Sequence, residues 1–234
     1  MNEPEIAIQV RGLSQDFANR RVLRQIDLDV AAGQSVGLTG TNGAGKTTLL
    51  RCLAALVRPT EGQVCWFGQS PAVDPGLRRL IGMVAHEHRL YPQLTLRENL
   101  MFAARMCRVP EPWRQADELL QRVGLLTFAD YFPGQASKGM RQRVALARAL
   151  VHDPPILLLD EPFAGLDKQG NQWLMDMLLD LRETGRTICF TSHDDDQTQR
   201  LADQVFELRA GRLYEQEPTG TSTLANNRVR ARAA

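Results

Sequence analysis

One octapeptide limits the folds open to this chain more than any other feature. Gly40-Thr41-Asn42-Gly43-Ala44-Gly45-Lys46-Thr47 fits the pattern G-x-x-x-x-G-K-[ST] without a gap. A short apolar strand, Ser35 to Thr39, runs into it. Beyond it, Leu49, Leu50, Leu53, Leu56 and Val57 fall on one helical face, which predicts a helix ended by Pro59. Strand, glycine-rich turn and helix in that order belong to an α/β fold with an anion site at the turn. The glycines let the backbone aim its N–H groups at phosphate oxygens, and the helix N-terminus adds its positive dipole. Lys46 is then a point charge for the terminal phosphates and Thr47 a hydroxyl ligand for Mg²⁺. Thr48 completes the expected nucleotide-binding run.

A Mg²⁺–nucleotide site also needs an acid at the end of a neighbouring strand. Ile156-Leu157-Leu158-Leu159 is an unbroken apolar run, as in a parallel strand covered on both faces, and it ends in Asp160-Glu161. Two adjacent acids alone read as a solvated strand end. With the phosphate loop upstream, Asp160 is expected to hold Mg²⁺ and Glu161 to act as general base on water. The next apolar run, Thr187 to Ser192, ends in His193. A lone histidine is more often structural, but ligands of open α/β sheets sit at such carboxyl ends. His193 is therefore placed to meet the γ-phosphate or orient the water. The expected ligands are ATP and Mg²⁺, and the expected reaction is ATP hydrolysis.

The remaining chain divides into segments. Ile6, Ile8 and Val10, then Ile26, Leu28 and Val30, alternate around a turn at Asn19-Arg20-Arg21 and predict antiparallel strands. Gln63 to Phe67, Leu80 to Ala85 and Val205 to Leu208 read as further strands. Thr95 and Glu98 form a capping box ahead of a helical stretch to Val109. Asp117 to Val123 is helical, Ser137 caps a helix bearing Met140, Val144, Ala147 and Val151, and Trp173 to Leu181 marks another. The expected domain is residues 1–217, with a helical subdomain over about 87–150. The small, polar stretch 218–234 is expected to be a disordered tail.

A net charge of +1 gives no electrostatic case for nucleic acid. No apolar run approaches the roughly 20 residues that cross a bilayer. The start, Met1 to Glu5, is polar and acidic, unlike a signal peptide. A soluble protein is expected, meeting membranes only through partners. Cys52, Cys65, Cys107 and Cys189 form no Cys-x-x-Cys pair and are expected to be reduced core thiols, with no zinc site.

Taken together, these residues resemble the nucleotide-binding subunit of ABC transporters, over about Ile6 to Glu217. Ser137-Lys138-Gly139-Met140-Arg141-Gln142-Arg143 stands where the family carries its signature, usually Leu-Ser-Gly-Gly-Gln. Ala164-Gly165-Leu166-Asp167 matches the D-loop, and His193 the switch histidine. Phe17 falls where the family stacks an aromatic on adenine; a core phenylalanine is the alternative. The resemblance implies a P-loop NTPase core of ABC type with an N-terminal antiparallel β subdomain and a helical insertion. It implies two subunits sandwiching ATP, each signature facing the other's phosphate loop. It also implies integral membrane subunits as partners, on the cytoplasmic side of the bacterial inner membrane.

Three features depart from the family. The signature differs at Ala136, Lys138 and Met140 but keeps Ser137 and Gly139. His86 stands for the Q-loop glutamine, and Mg²⁺ prefers oxygen, so His86 is expected to act through water or toward the membrane partner. Thr41 replaces a common proline in the loop. The stretch Ala85-His86-Glu87-His88-Arg89-Leu90-Tyr91, with Leu94 to Leu100 and Ser137 to Arg143, is similar to the ATPase subunit of the haem exporter of bacterial cytochrome c maturation. Drug, polysaccharide and ion exporters remain alternatives, as do ABC ATPases acting on DNA or ribosomes and a non-hydrolysing regulatory subunit. ABC ATPases acting on DNA or ribosomes usually carry two ATPase domains or a long coiled-coil insertion, of which this sequence has neither, and retention of Lys46, Asp160, Glu161 and His193 argues against a non-hydrolysing subunit.

Overall fold

A computed structural model describes residues 4–18, 20–87 and 89–216. The chain opens with β1 (Ile6–Phe17), β2 (Arg20–Ala31), β3 (Ser35–Thr39), α1 (Lys46–Leu53) and β4 (Glu61–Trp66). A 3₁₀ turn, Pro75–Leu80, leads to β5 (Ile81–Val84). Three helices follow, α2 (Leu96–Met106), α3 (Pro112–Arg122) and α4 (Lys138–Ala149). Then come β6 (Ile156–Leu159), α5 (Lys168–Glu183), β7 (Thr187–Thr191), α6 (Asp195–Leu201), β8 (Gln204–Arg209) and β9 (Arg212–Gln216).

Two sheets result. The first is antiparallel in the order β2-β1-β4. Leu23, Ile26, Leu28 and Val30 of β2 are buried while Asp27 and Asp29 face out. The odd step from Leu23 to Ile26 is absorbed by shifts of register and by Gln25, at φ 44°. The second sheet runs β5-β6-β7-β3-β8-β9, parallel except for the β8–β9 hairpin. Because β7 and β8 flank β3, the turn after Thr39 opens between their carboxyl ends.

The apolar run of β6 is buried on both faces. Leu157 and Leu159 join the cluster that includes Leu100, Leu120, Val144 and Leu178. Ile156 and Leu158 join the one that includes Val10, Leu28, Leu50 and Trp66. One strand thus seals two cores, which is why its sequence does not alternate. Trp66 is fully buried and donates Nε1–H to the Leu53 carbonyl at 2.9 Å. That bond satisfies an orphan acceptor at the end of α1 and fastens the antiparallel sheet to the helix.

Several boundaries differ from the sequence reading. Helix α1 stops at Leu53, not Pro59: Ala55 turns to φ 51°, and Leu56 is 63% exposed. Leu56 and Val57 continue the apolar spacing but belong to the loop. Strand β4 starts at Glu61, and α2 ends at Met106. Helix α3 begins at Pro112, whose missing N–H suits a first turn. The 3₁₀ turn, α6 and β9 were not anticipated. Of β8, only Leu208 is buried among Val205 to Leu208. Cys52 and Cys189 are core thiols, but Cys65 is half-buried and Cys107 exposed, which corrects the uniform core reading. Asn19, His88 and the tail 218–234 lie outside the described residues. No described helix is long and apolar enough to cross a membrane.

Trp66→Ala is expected to lower stability by about 3–5 kcal/mol, and Trp66→Phe, which mainly loses the bond to Leu53, by about 1–2 kcal/mol. Urea unfolding followed by circular dichroism measures both.

Candidate functional site

The phosphate loop begins where β3 ends. Gly40 has φ 132°, and a Cβ there would lie well inside van der Waals contact distance of the Leu208 carbonyl oxygen on β8. Only glycine allows the turn this close to the neighbouring strand. Gly45, at φ 111°, is the left-handed residue from which α1 starts, so Lys46 sits in the first turn. The Lys46 ammonium donates to the carbonyls of Gly40 at 2.8 Å and Thr41 at 3.3 Å. Burial pushes its pKa down, against upward pulls from Glu161 and Asp160. Thr41, Asn42 and Gly43 are exposed and Ala44 is half-buried, so the loop is open to a ligand.

Asp160 and Glu161 follow β6 directly. Asp160 is buried, and its Oδ1 accepts from the Thr47 hydroxyl and from the Thr191 hydroxyl, each at 3.1 Å. Thr191 Oγ1 also accepts the Glu161 N–H at 2.7 Å. Thr191 was missed in the sequence. It is the last residue of β7, next to β6 in the parallel sheet, and only that adjacency marks it. Thr48 lies half-buried one residue along α1. The oxygens of Thr47 and Asp160 form a hard donor pair that suits Mg²⁺.

Glu161 adopts φ 50°, an uncommon backbone for a non-glycine residue. His193 Nε2 lies 2.8 Å from its Oε1, and His86 Nδ1 lies 3.5 Å from its Oε2. A carboxylate only accepts, so Nε2 of His193 carries the proton. The same Nε2 is 3.3 Å from the Lys46 ammonium, which also only donates. Two donors held this close beside the open loop favour an anion near them. A cavity of about 520 Å³ opens beside them, lined in part by Asn42, Thr47, Arg51, His86, Asp160 and Glu161. The structure therefore brings His86 to Glu161, a direct neighbour the sequence reading did not foresee.

The other expected residues lie elsewhere. Ser137 caps α4, accepting the Met140 N–H at 3.1 Å. Asp167 caps α5, accepting from the Gly170 N–H at 2.7 Å. Ser137, Lys138, Gly139 and Asp167 line one groove, which shares no residue with the cavity beside the phosphate loop. Within one chain the two sets are not brought together. Phe17, at the end of β1, is 48% exposed, which removes the core-phenylalanine alternative. A second concavity beside Gly43 and Ala44 is lined by Arg20, Arg21, Val22 and Arg24.

Residues 23–164 match the family model described as ABC transporter. The chain belongs to the ABC transporter family. It is 40% identical over 216 residues to the sulfate/thiosulfate import ATP-binding protein CysA of Xanthomonas campestris pv. campestris, covering 89% of this chain and 63% of that protein. It is 36% identical over 222 residues to the protein of the same name from Thermosynechococcus vestitus, covering 92% of this chain and 64% of that protein. The chain thus spans less than two thirds of the length of these relatives. Its fold is that of the ABC ATPases. The dimeric ATP-binding cassette MJ0796, in a post-hydrolysis state bound to ADP and Pi, superposes with a TM-score of 0.84 at 28% identity, covering 92% of this chain and 100% of that one. The names of the two sequence relatives concern sulfate and thiosulfate import, which differs from the haem-export resemblance drawn from the motifs.

Thr191→Val removes a hydroxyl that joins two groups of the site, the Asp160 carboxylate and the Glu161 N–H. It is expected to cost about 1–3 kcal/mol of stability by leaving the Glu161 N–H unpaired. ATP turnover is expected to fall at least about tenfold as Asp160 and Glu161 lose their alignment. A steady-state phosphate-release assay beside a melting curve checks both. Replacement of His86 by Gln is expected to leave Mg²⁺-ATP affinity largely intact, measured by calorimetry, because His86 meets Glu161 and not the Thr47–Asp160 pair.

Proposed function

We propose that this chain is the ATP-binding and ATP-hydrolysing subunit that powers a membrane ABC transporter. The observation that carries the reading is the convergence of Lys46, Thr47, Asp160, Glu161 and His193 on the end of one parallel sheet, with Thr47 and His193 bonded to the two acids. In this reading the loop amides and Lys46 hold the β- and γ-phosphates, and Phe17 stacks on adenine. Thr47 and Asp160 hold Mg²⁺, which neutralises phosphate charge. Glu161 accepts a proton from the attacking water, and His193 fixes the carboxylate and reaches the γ-phosphate.

The site is completed by a second copy. The groove of Ser137, Lys138, Gly139 and Asp167 presents a capped helix start and a lysine, but to no phosphate loop of its own chain. Across a dimer, Ser137 and Gly139 would meet the γ-phosphate bound by the partner. The likeness to a dimeric cassette bound to ADP and Pi supports this arrangement. ATP is then an interfacial ligand, and the closing and reopening of the dimer drives the membrane subunits from the cytoplasmic side of the inner membrane. The segment from α2 to α4 is the helical subdomain of the reading.

For the cargo, the motif around His86 and the Ser-Lys-Gly-Met signature favour haem export for c-type cytochrome assembly. The names of the sequence relatives favour a second reading, sulfate or thiosulfate import. Co-purification of the native complex separates them: ATPase stimulation by haem supports the first, and stimulation by sulfate with a binding protein overturns it.

Glu161→Gln is expected to keep ATP binding, abolish turnover and accumulate a dimer, seen by light scattering; unchanged hydrolysis would remove the base assignment. Lys46→Ala is expected to weaken ATP binding at least about tenfold, the scale of a lost charged hydrogen bond. Calorimetry giving wild-type affinity would contradict the loop assignment.

A further inference from the structure

The signature turn and the D-loop turn come from different parts of the chain, yet they are fastened together. The Arg143 guanidinium of α4 lies 4.3 Å from the centre of the Trp173 ring of α5. One helix starts at the signature and the other at the D-loop. Both side chains are half-buried and line the groove that holds Ser137 and Asp167. Gln142, one residue before Arg143, is buried and donates to the Pro162 carbonyl at 2.8 Å, just ahead of the D-loop. The Lys138 side chain lies over Gly165, in the space a Cβ there would need.

We propose that Arg143 and Trp173 clamp the signature turn and the Gly165–Asp167 turn into one rigid face, which makes them positioning residues for the nucleotide held by a second copy. The proposal rests on the dimeric reading above. Neither residue belongs to the phosphate-loop half of the site. Both cap residues, Ser137 and Asp167, depend on the start of the helix that each of these side chains joins. A guanidinium over an indole face is attracted by the ring quadrupole, more strongly where water is partly excluded as here, so it resists separation of the two helices. Without it, the two turns reach the partner's γ-phosphate independently, and each must be ordered at the moment of closure.

The test uses the full chain carrying Glu161→Gln as parent, with Trp173→Ala, Trp173→Phe, Arg143→Met and the double variant Arg143→Met/Trp173→Ala. Binding of MgADP to the monomer by calorimetry reads the phosphate-loop half alone. The ATP concentration that half-saturates dimerisation, read by light scattering, reads the composite site. Trp173→Ala is expected to keep MgADP affinity and to raise the half-saturating ATP about tenfold. Phe, which keeps a ring face, is expected to restore most of that loss. The double variant is expected to be no worse than the poorer single variant. Equal dimerisation of parent and Trp173→Ala, additive losses in the double variant, or a parallel loss of MgADP binding would each overturn the proposal. A parent that never dimerises overturns the dimeric reading and this proposal with it.

Discussion

Asp160 Oδ1 accepts two hydroxyls, and the rest of the site hangs on that one atom. Thr47 reaches it from the first turn of α1, and Thr191 reaches it from the end of β7. Thr191 in turn receives the backbone N–H of Glu161. The phosphate loop and the ends of two parallel strands are therefore held in register by hydrogen bonds to a carboxylate that is itself buried. A buried carboxylate needs such partners, and each partner gains a fixed position in return. The sheet order makes this possible, because β7 lies between β6 and β3.

The same arrangement suits the phosphate proposed to bind there. Lys46 and His193 face each other as donors, and the backbone around Gly40 crowds against β8. The donors already stand beside the loop, and an incoming anion would take the Lys46 ammonium from the carbonyls of Gly40 and Thr41. Glu161 is held by His193 on one oxygen and approached by His86 on the other. His86 comes from the loop after β5, at the start of the long segment that carries the helices. That loop thus has a direct line to the carboxylate proposed to activate water.

Much of this was legible in the sequence wherever the cause is local. The glycine–lysine–threonine run, the capping box at Thr95 and Glu98, the Ser137 cap and the unbroken β6 run are each written in adjacent residues. The end of α1 was not, because Leu56 and Val57 prolong the apolar spacing while Ala55 has already left the helix. Thr191, the His86–Glu161 approach and the Arg143–Trp173 stack were not legible either. Each depends on which strands and helices become neighbours, and no spacing along the chain encodes that. The exposure of Cys107 shows the same limit, since a helix end looks apolar in sequence while its last turn faces solvent.

In the proposed dimer one chain carries two half-sites, and each is completed by the opposite half-site of the same second copy. The most direct measurement is ATPase activity per chain across a wide dilution series at saturating Mg²⁺-ATP, with the oligomeric state followed by light scattering. Activity per chain should fall as the protein is diluted and track the dimer fraction. Constant activity per chain in samples that remain monomeric would contradict the account.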